Sequence, residues 1–177
     1  GNHTTISGDI AAGQVVTVLN GLSPANNPLA ISGNITAADN VAIDNLGASA
    51  GNTTTISGSV TSTGGNVYVT HYGLPTEMLT VSGSLNAFYD VTMFSDGHAQ
   101  LGGVGIFAGD DIFATVQGTS LMVDGPWTAG DYLNITSPLA LAKLNPAGVL
   151  TAPTIAFAGL SFTGVNSSWL PYVDASE

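Results

Sequence analysis

The chain has 177 residues, 44% hydrophobic and only 7% charged, and its single cation, Lys143, stands against twelve acids for a net charge of −11. Without arginine or cysteine it offers no basic patch for nucleic acid or an anionic membrane, no disulfide framework and no thiolate metal site. The apolar fraction excludes a disordered polymer, and Gly, Thr, Ser and Asn in place of Lys, Glu and Arg point to short β-branched strands separated by tight turns rather than to helices.

No run of about 18 apolar residues occurs, so no transmembrane helix and no membrane insertion are predicted. The chain opens at Gly1-Asn2 without a charged leader, as expected where a signal peptide has been removed or the chain is a piece of a longer protein. In chain order the first element is Ile6-Ser7-Gly8, which returns as Ile31-Ser32-Gly33, Ile56-Ser57-Gly58 and Val81-Ser82-Gly83 at a constant spacing of 25 residues. Four residues after each lead residue stands another aliphatic: Ile10, Ile35, Val60 and Leu85. A further pair follows at Val16/Val18, Val41/Ile43 and Val91/Met93. In the third repeat this pair slips one place to Val67/Val69, as a bulge would require. Asn2, Asn27 and Asn52 share the register, with Glu77 next.

Within each repeat apolar residues alternate with small polar ones, the period of a strand. A short strand alone leaves its apolar face open; stacked copies bury it coil against coil. The pattern therefore predicts an all-β fold, a right-handed parallel β-helix of about seven 25-residue coils, about 34 Å long at the spacing of parallel strands. Ile6, Ile31, Ile56 and Val81 form one buried column and Ile10, Ile35, Val60 and Leu85 a second. The alternative is an antiparallel β-sandwich, which gives no reason for the 25-residue register.

Beyond Val81 the repeat loosens. Ile106 keeps the period of the first column, and strand-like patches continue at 112–116, 121–123, 132–135 and 155–162. Pro138 and Pro146 bracket Leu139–Leu144, read as a strand because proline flanks so short a run. The aromatics Trp127, Tyr132, Phe157, Phe162, Trp169 and Tyr172 suit a wider core or a plug at one end. Residues 1–168 form one domain on this reading, and 169–177 a C-terminal cap or linker.

The 25-residue coils rich in Ile-Ser-Gly, Asn and Thr resemble the β-helical shafts of filamentous-haemagglutinin-type exoproteins and autotransporter passengers, over about residues 3–165. The secretion domains of the haemagglutinin type carry an Asn-Pro-Asn-Gly turn. Here Asn145-Pro146-Ala147-Gly148 departs at the third position and lies late in the chain. The resemblance implies an exported protein, extracellular or at the cell surface, working in adhesion, competition or filament building.

Parallel β-helices also carry polysaccharide lyases and hydrolases. Lyase chemistry needs cations to neutralise a uronate, and Lys143 alone cannot supply them. Hydrolase chemistry needs converging carboxylates, with candidates Asp90, Asp96, Asp110, Asp111 and Asp124. Asp96-Gly97-His98 and Asp110-Asp111 resemble polygalacturonase-type enzymes faintly, in reversed order and without the family's Arg-Ile-Lys. Asp-Gly is foremost a turn signal, so no catalytic residue is assigned and the chain is read as no enzyme.

His3, His71 and His98 fit no compact metal motif and are read as solvated turn residues, with His71 and His98 on adjacent turns. Gly102-Gly103-Val104-Gly105 comes nearest to a calcium-binding repeat but lacks its Asp. No metal ligand and no cofactor are assigned. Five sequons make Asn2, Asn34, Asn52, Asn134 and Asn166 candidate glycan acceptors; the alternative is that they are turn and strand residues in stacked ladders.

The sequence thus predicts an exported structural or adhesive β-solenoid. The expected partners are the ends of its own kind or a longer parent chain, and a surface or glycan ligand, with no nucleic acid. The alternatives are a subunit of a self-assembling extracellular filament and a neutral-polysaccharide hydrolase.

Overall fold

The computed structural model describes residues 3–21, 27–47, 50–137, 141–144, 148–159 and 161–163. These residues form three parallel sheets and no helix. The first sheet contains Thr4–Ile6, Leu29–Ile31, Thr54–Ile56, Met78–Val81, His98–Leu101, Ser120–Val123, Leu141–Leu144 and Ser161–Thr163. The second contains Ile10–Ala12, Ile35–Ala37, Val60–Ser62, Ser84–Ala87, Gly105–Ala108, Trp127–Ala129 and Leu150–Thr151. The third contains Val16–Asn20, Val41–Asn45, Val67–His71, Val91–Ser95, Ile112–Val116, Tyr132–Thr136 and Thr154–Ala158. The chain visits the three in turn, rises by one strand and repeats: a parallel β-helix.

Alternation along each strand places one set of side chains inside. Ile6, Ile31, Ile56 and Val81 are register partners in the first sheet, and Ile10, Ile35, Val60 and Leu85 in the second. From Ile31 and Ile35 onward these positions are at most 1% exposed. Burying each such aliphatic contributes about 2 kcal/mol.

The Ser-Gly corner between first and second sheets has a steric cause. A Cβ on Gly33 would lie 2.1 Å from the Gly8 carbonyl oxygen, and on Gly58 or Gly83 2.0 Å from that of the glycine one coil before. Only a residue without a side chain allows the corners to stack at strand spacing. Beside them, Asp9 Oδ1 accepts the Asn34 N–H at 2.7 Å and Asn34 Oδ1 accepts the Ser59 N–H at 3.0 Å. The corner between second and third sheets repeats the device. Asn40 Oδ1 accepts from Asn66 N–H (2.7 Å), Asn66 Oδ1 from Asp90 N–H (2.9 Å), Asp90 Oδ1 from Asp111 N–H (3.2 Å) and Asp111 Oδ1 from Tyr132 N–H (3.1 Å). These corner N–H groups thus find their acceptors on the neighbouring coil.

The structure departs from the expected period in three places. Past Val81 the coil shortens: Val81 pairs with Leu101 and Leu101 with Val123, steps of 20 and 22 residues. Ile106 therefore leaves the first column and stacks on Leu85 in the second, followed by Trp127 and Leu150. The slip at Val67 is not a strand bulge, since its strand pairs without interruption on both sides. The extra residue lies in the Thr63–Asn66 corner, four residues long where Ala38–Asn40 has three. The patch at 155–162 is two strands, Thr154–Ala158 in the third sheet and Ser161–Thr163 in the first.

Trp127 is fully buried. Space for its indole comes from Gly102, where a Cβ would lie 2.5 Å from Trp127 Nε1 and whose φ of 98° also disfavours a side chain. Leu141–Leu144 is a strand, as the proline bracket predicted. Residues 145–147 and 169–177 lie outside the described residues, and with them the departed secretion turn and the expected cap.

Candidate functional site

Two clusters of chemistry-bearing side chains emerge, one inside the rod and one on a corner. The inner cluster follows the last inward position of the third sheet, where Asn20, Asn45, His71 and Ser95 are register partners and all buried. The Asn20 amide donates to Asn45 Oδ1 at 2.9 Å and to the Asn27 carbonyl at 2.7 Å, and Asn20 Oδ1 accepts from the Thr4 hydroxyl. The Asn45 amide donates to Thr54 Oγ1 (2.9 Å) and the Thr53 carbonyl (3.2 Å). Thr54 Oγ1 lies 3.0 Å from His71 Nδ1.

Asn27 and Asn52, which share a register, clamp the loops between third and first sheets. The Asn27 amide donates to the Gly21 carbonyl, and the Asn52 amide to those of Gly47 and Tyr72. Glu77, at the next position of that register, accepts from the Gly51 N–H at 2.7 Å. His71 is not a solvated turn residue: it is fully buried, and burial lowers its pKa to about 4, partly opposed by the charge of Glu77. Its Nε2 has no hydrogen-bond partner and faces Gly73, where a Cβ would lie 2.7 Å from it. His98 begins a first-sheet strand on the following coil.

The outer cluster lies between second and third sheets. The corner Phe88-Tyr89-Asp90 stacks on Gly109-Asp110-Asp111, and that on Gly130-Asp131-Tyr132. The Asp110 N–H donates to the Tyr89 carbonyl and the Asp131 N–H to the Asp110 carbonyl, both at 3.0 Å. Carboxylate oxygens of Asp110, Asp111 and Asp131 lie within 4.8 Å of one another. Burial raises the pKa of Asp111; the Tyr132 N–H opposes this, and the charges of Asp110, Asp90 and Asp131 add to it. Phe88 and Tyr89 are 56% and 49% exposed, with ring centroids 4.8 Å apart in an edge-to-face arrangement. The three carboxylates are a fragment of a hard-cation site; calcium takes six to eight oxygens.

Of the hydrolase candidates, Asp90, Asp110 and Asp111 share the corner between second and third sheets, with carboxylate oxygens of Asp110 and Asp111 within 4.8 Å of each other, whereas Asp96 lies at the corner between third and first and Asp124 at that between first and second. Among the sequons, Asn34 is exposed and Asn134 half-buried on the third sheet. Asn52 is fully buried with its amide committed to two carbonyls, the arrangement of a residue in a stacked ladder. Asn2 and Asn166 lie outside the described residues.

The signal for the polar stacks lies in the spacing: Asn20/Asn45 at the strand ends and Asp9/Asn34/Ser59/Ser84 at the corners all keep 25 residues. Architecture and corners together define a parallel β-helix with amide and carboxylate ladders. No protein-family model matches the chain, and no curated protein or solved structure is significantly similar to it.

Proposed function

We propose that the chain is a shaft segment of an exported structural or adhesive protein, at the cell surface or released from it, of the kind found in filamentous-haemagglutinin-type exoproteins and autotransporter passengers. It joins further coils through its ends, either in a longer parent chain or in a second copy. The observation that carries this is the unbroken stacking of the aliphatic columns: Ile31, Ile56 and Val81 in the first and Ile35, Val60 and Leu85 in the second are register partners at most 1% exposed, with Ile6, Ile10 and Ala12 of the first described coil partly buried. Covering one coil face removes several hundred Å² of apolar surface from water, about 10 kcal/mol before association costs. Side-by-side packing is opposed by the net charge of −11.

The chain is not a catalyst on this reading, and its work is to hold a surface at a distance. Electron microscopy of the purified protein at high concentration, with sedimentation alongside, tests it. Head-to-tail rods that shorten when Ile10→Asp places a charge on the open face support it. A protein that stays monomeric at every concentration, even when joined to a further set of its own coils, argues against it. Polysaccharide turnover that vanishes in an Asp110→Asn, Asp111→Asn variant would replace the shaft reading with the hydrolase.

A further inference from the structure

The corner between second and third sheets changes character along the rod. At Ala38-Asp39-Asn40 and Thr63-Gly64-Gly65-Asn66 it is small and polar; at Phe88-Tyr89-Asp90 it presents two rings; beyond, it presents glycine and carboxylate. Gly109 and Gly130 form a floor with no side chains: a Cβ on Gly109 would lie 2.1 Å from the Phe88 carbonyl oxygen, and on Gly130 2.0 Å from that of Gly109. The result is a step, with exposed rings at its upper edge, bare backbone below them and exposed Asp110 and Asp131 alongside.

Two features call for the same ligand. The ring faces carry negative quadrupole potential, attractive to a cation within about 6 Å. The three clustered carboxylates repel one another, and the sequence supplies no arginine and only Lys143, which belongs to the first sheet. A bound cationic group would relieve that repulsion. A guanidinium is planar, stacks on aromatic rings and bridges carboxylates with a fork of N–H donors; oxygens within 4.8 Å of one another lie in reach of one such group.

We infer that this step, the Phe88–Tyr89 ring pair above the Gly109–Gly130 floor with Asp110 and Asp131 beside it, docks an arginine- or lysine-bearing segment of a partner protein. The inference concerns a flank of the rod and does not depend on the shaft reading, which concerns its ends. A bare metal ion would leave the rings without a part to play, whereas a cationic side chain engages rings and carboxylates together.

The test is titration of the full chain with a fluorescent arginine-rich peptide at low and physiological salt, read by anisotropy. Saturable binding is expected, weakened at least tenfold by Phe88→Ser with Tyr89→Ser, which leaves the charge unchanged. Asp110→Asn with Asp131→Asn should weaken it similarly, while Asp9→Asn with Asp44→Asn, the same charge change elsewhere, should leave it within twofold. Circular dichroism of each variant confirms the fold, and Tyr89→Phe, which keeps the ring, should bind as the parent does. Equal loss from both pairs of acids, or no loss on removing the rings, would reduce the effect to general charge attraction and overturn the inference. So would binding of chitosan oligosaccharides in place of the peptide, since the ligand would then be an amino sugar.

Discussion

The coils up to Ser95 and those after it solve one packing problem in two ways. In the first set, long loops join third sheet to first: eight residues between Asn20 and Leu29, eight between Asn45 and Thr54, and six between His71 and Met78. In the second set two residues separate Ser95 from His98 and three separate Val116 from Ser120. The side chain at the foot of each loop changes with it. Asn20, Asn45 and His71 stand under long loops, Ser95 bonds the carbonyls of a short turn at Gly97 and His98, and the next position is Val116. Under the first two long loops the Asn20 and Asn45 amides serve backbone carbonyls, Ser95 serves the two carbonyls of its short turn, and Val116 serves none.

The largest effect expected is at the glycine column of the long coils. Gly58→Ala sets a Cβ against the Gly33 carbonyl and should cost about 4 kcal/mol in a denaturant titration. Gly8→Ala, with nothing within 4 Å, should cost less than about 1 kcal/mol. Equal costs would mean that the corners do not stack.

Next comes acid. Lowering the His71 pKa from 6.5 to about 4 means that the unfolded chain takes up the proton first as pH falls. The stability is fully present above about pH 6.5 and is lost progressively down to about pH 4, by about 3 kcal/mol in total. The raised pKa of Asp111 acts in the opposite sense, favouring the fold as that carboxylate is protonated. His71→Gln should flatten stability between pH 6.5 and 4; a slope unchanged by that substitution would place the titration elsewhere.

Asn45→Ala leaves the Thr53 carbonyl and the Asn20 amide short of partners and should cost about 2 kcal/mol, measured by thermal unfolding. The mirror change in the short coils, Val116→Asn, should also destabilise, because no long loop waits there for its amide. The smallest effect concerns the sequons. Expressed in a glycosylating host, Asn34 is expected to carry sugar and Asn52 none by peptide mass analysis, and Asn34→Gln should leave stability within about 0.5 kcal/mol.

The parallel sheets and the first two columns were legible because Ile6, Ile31, Ile56 and Val81 repeat without drift, and stacked coils are the simplest architecture that such a register serves. The shortening was not, because Ile106 satisfies the 25-residue period while occupying a different column. An aliphatic at the expected place carries no label of its sheet. His71 was misread for a related reason: it stands where Asn20 and Asn45 stand one residue out of period, the extra residue of the Thr63–Asn66 corner having shifted it. The Phe88–Tyr89 step depends on which corners stack, so it could be seen only once the coil length was known.

The central claim, that coil length changes after Val81, is open to a direct chemical measurement in a chain with no native cysteine. Asn86 is the register neighbour of Phe107 on the outer face of the second sheet, within disulfide reach at parallel-strand spacing. Under a constant 25-residue period Asn86 would instead lie beside Asp111. Oxidation of an Asn86→Cys, Phe107→Cys variant is expected to give an intramolecular disulfide rapidly and without loss of fold, whereas an Asn86→Cys, Asp111→Cys variant should remain reduced. A disulfide that forms between 86 and 111 and not between 86 and 107 would contradict the account.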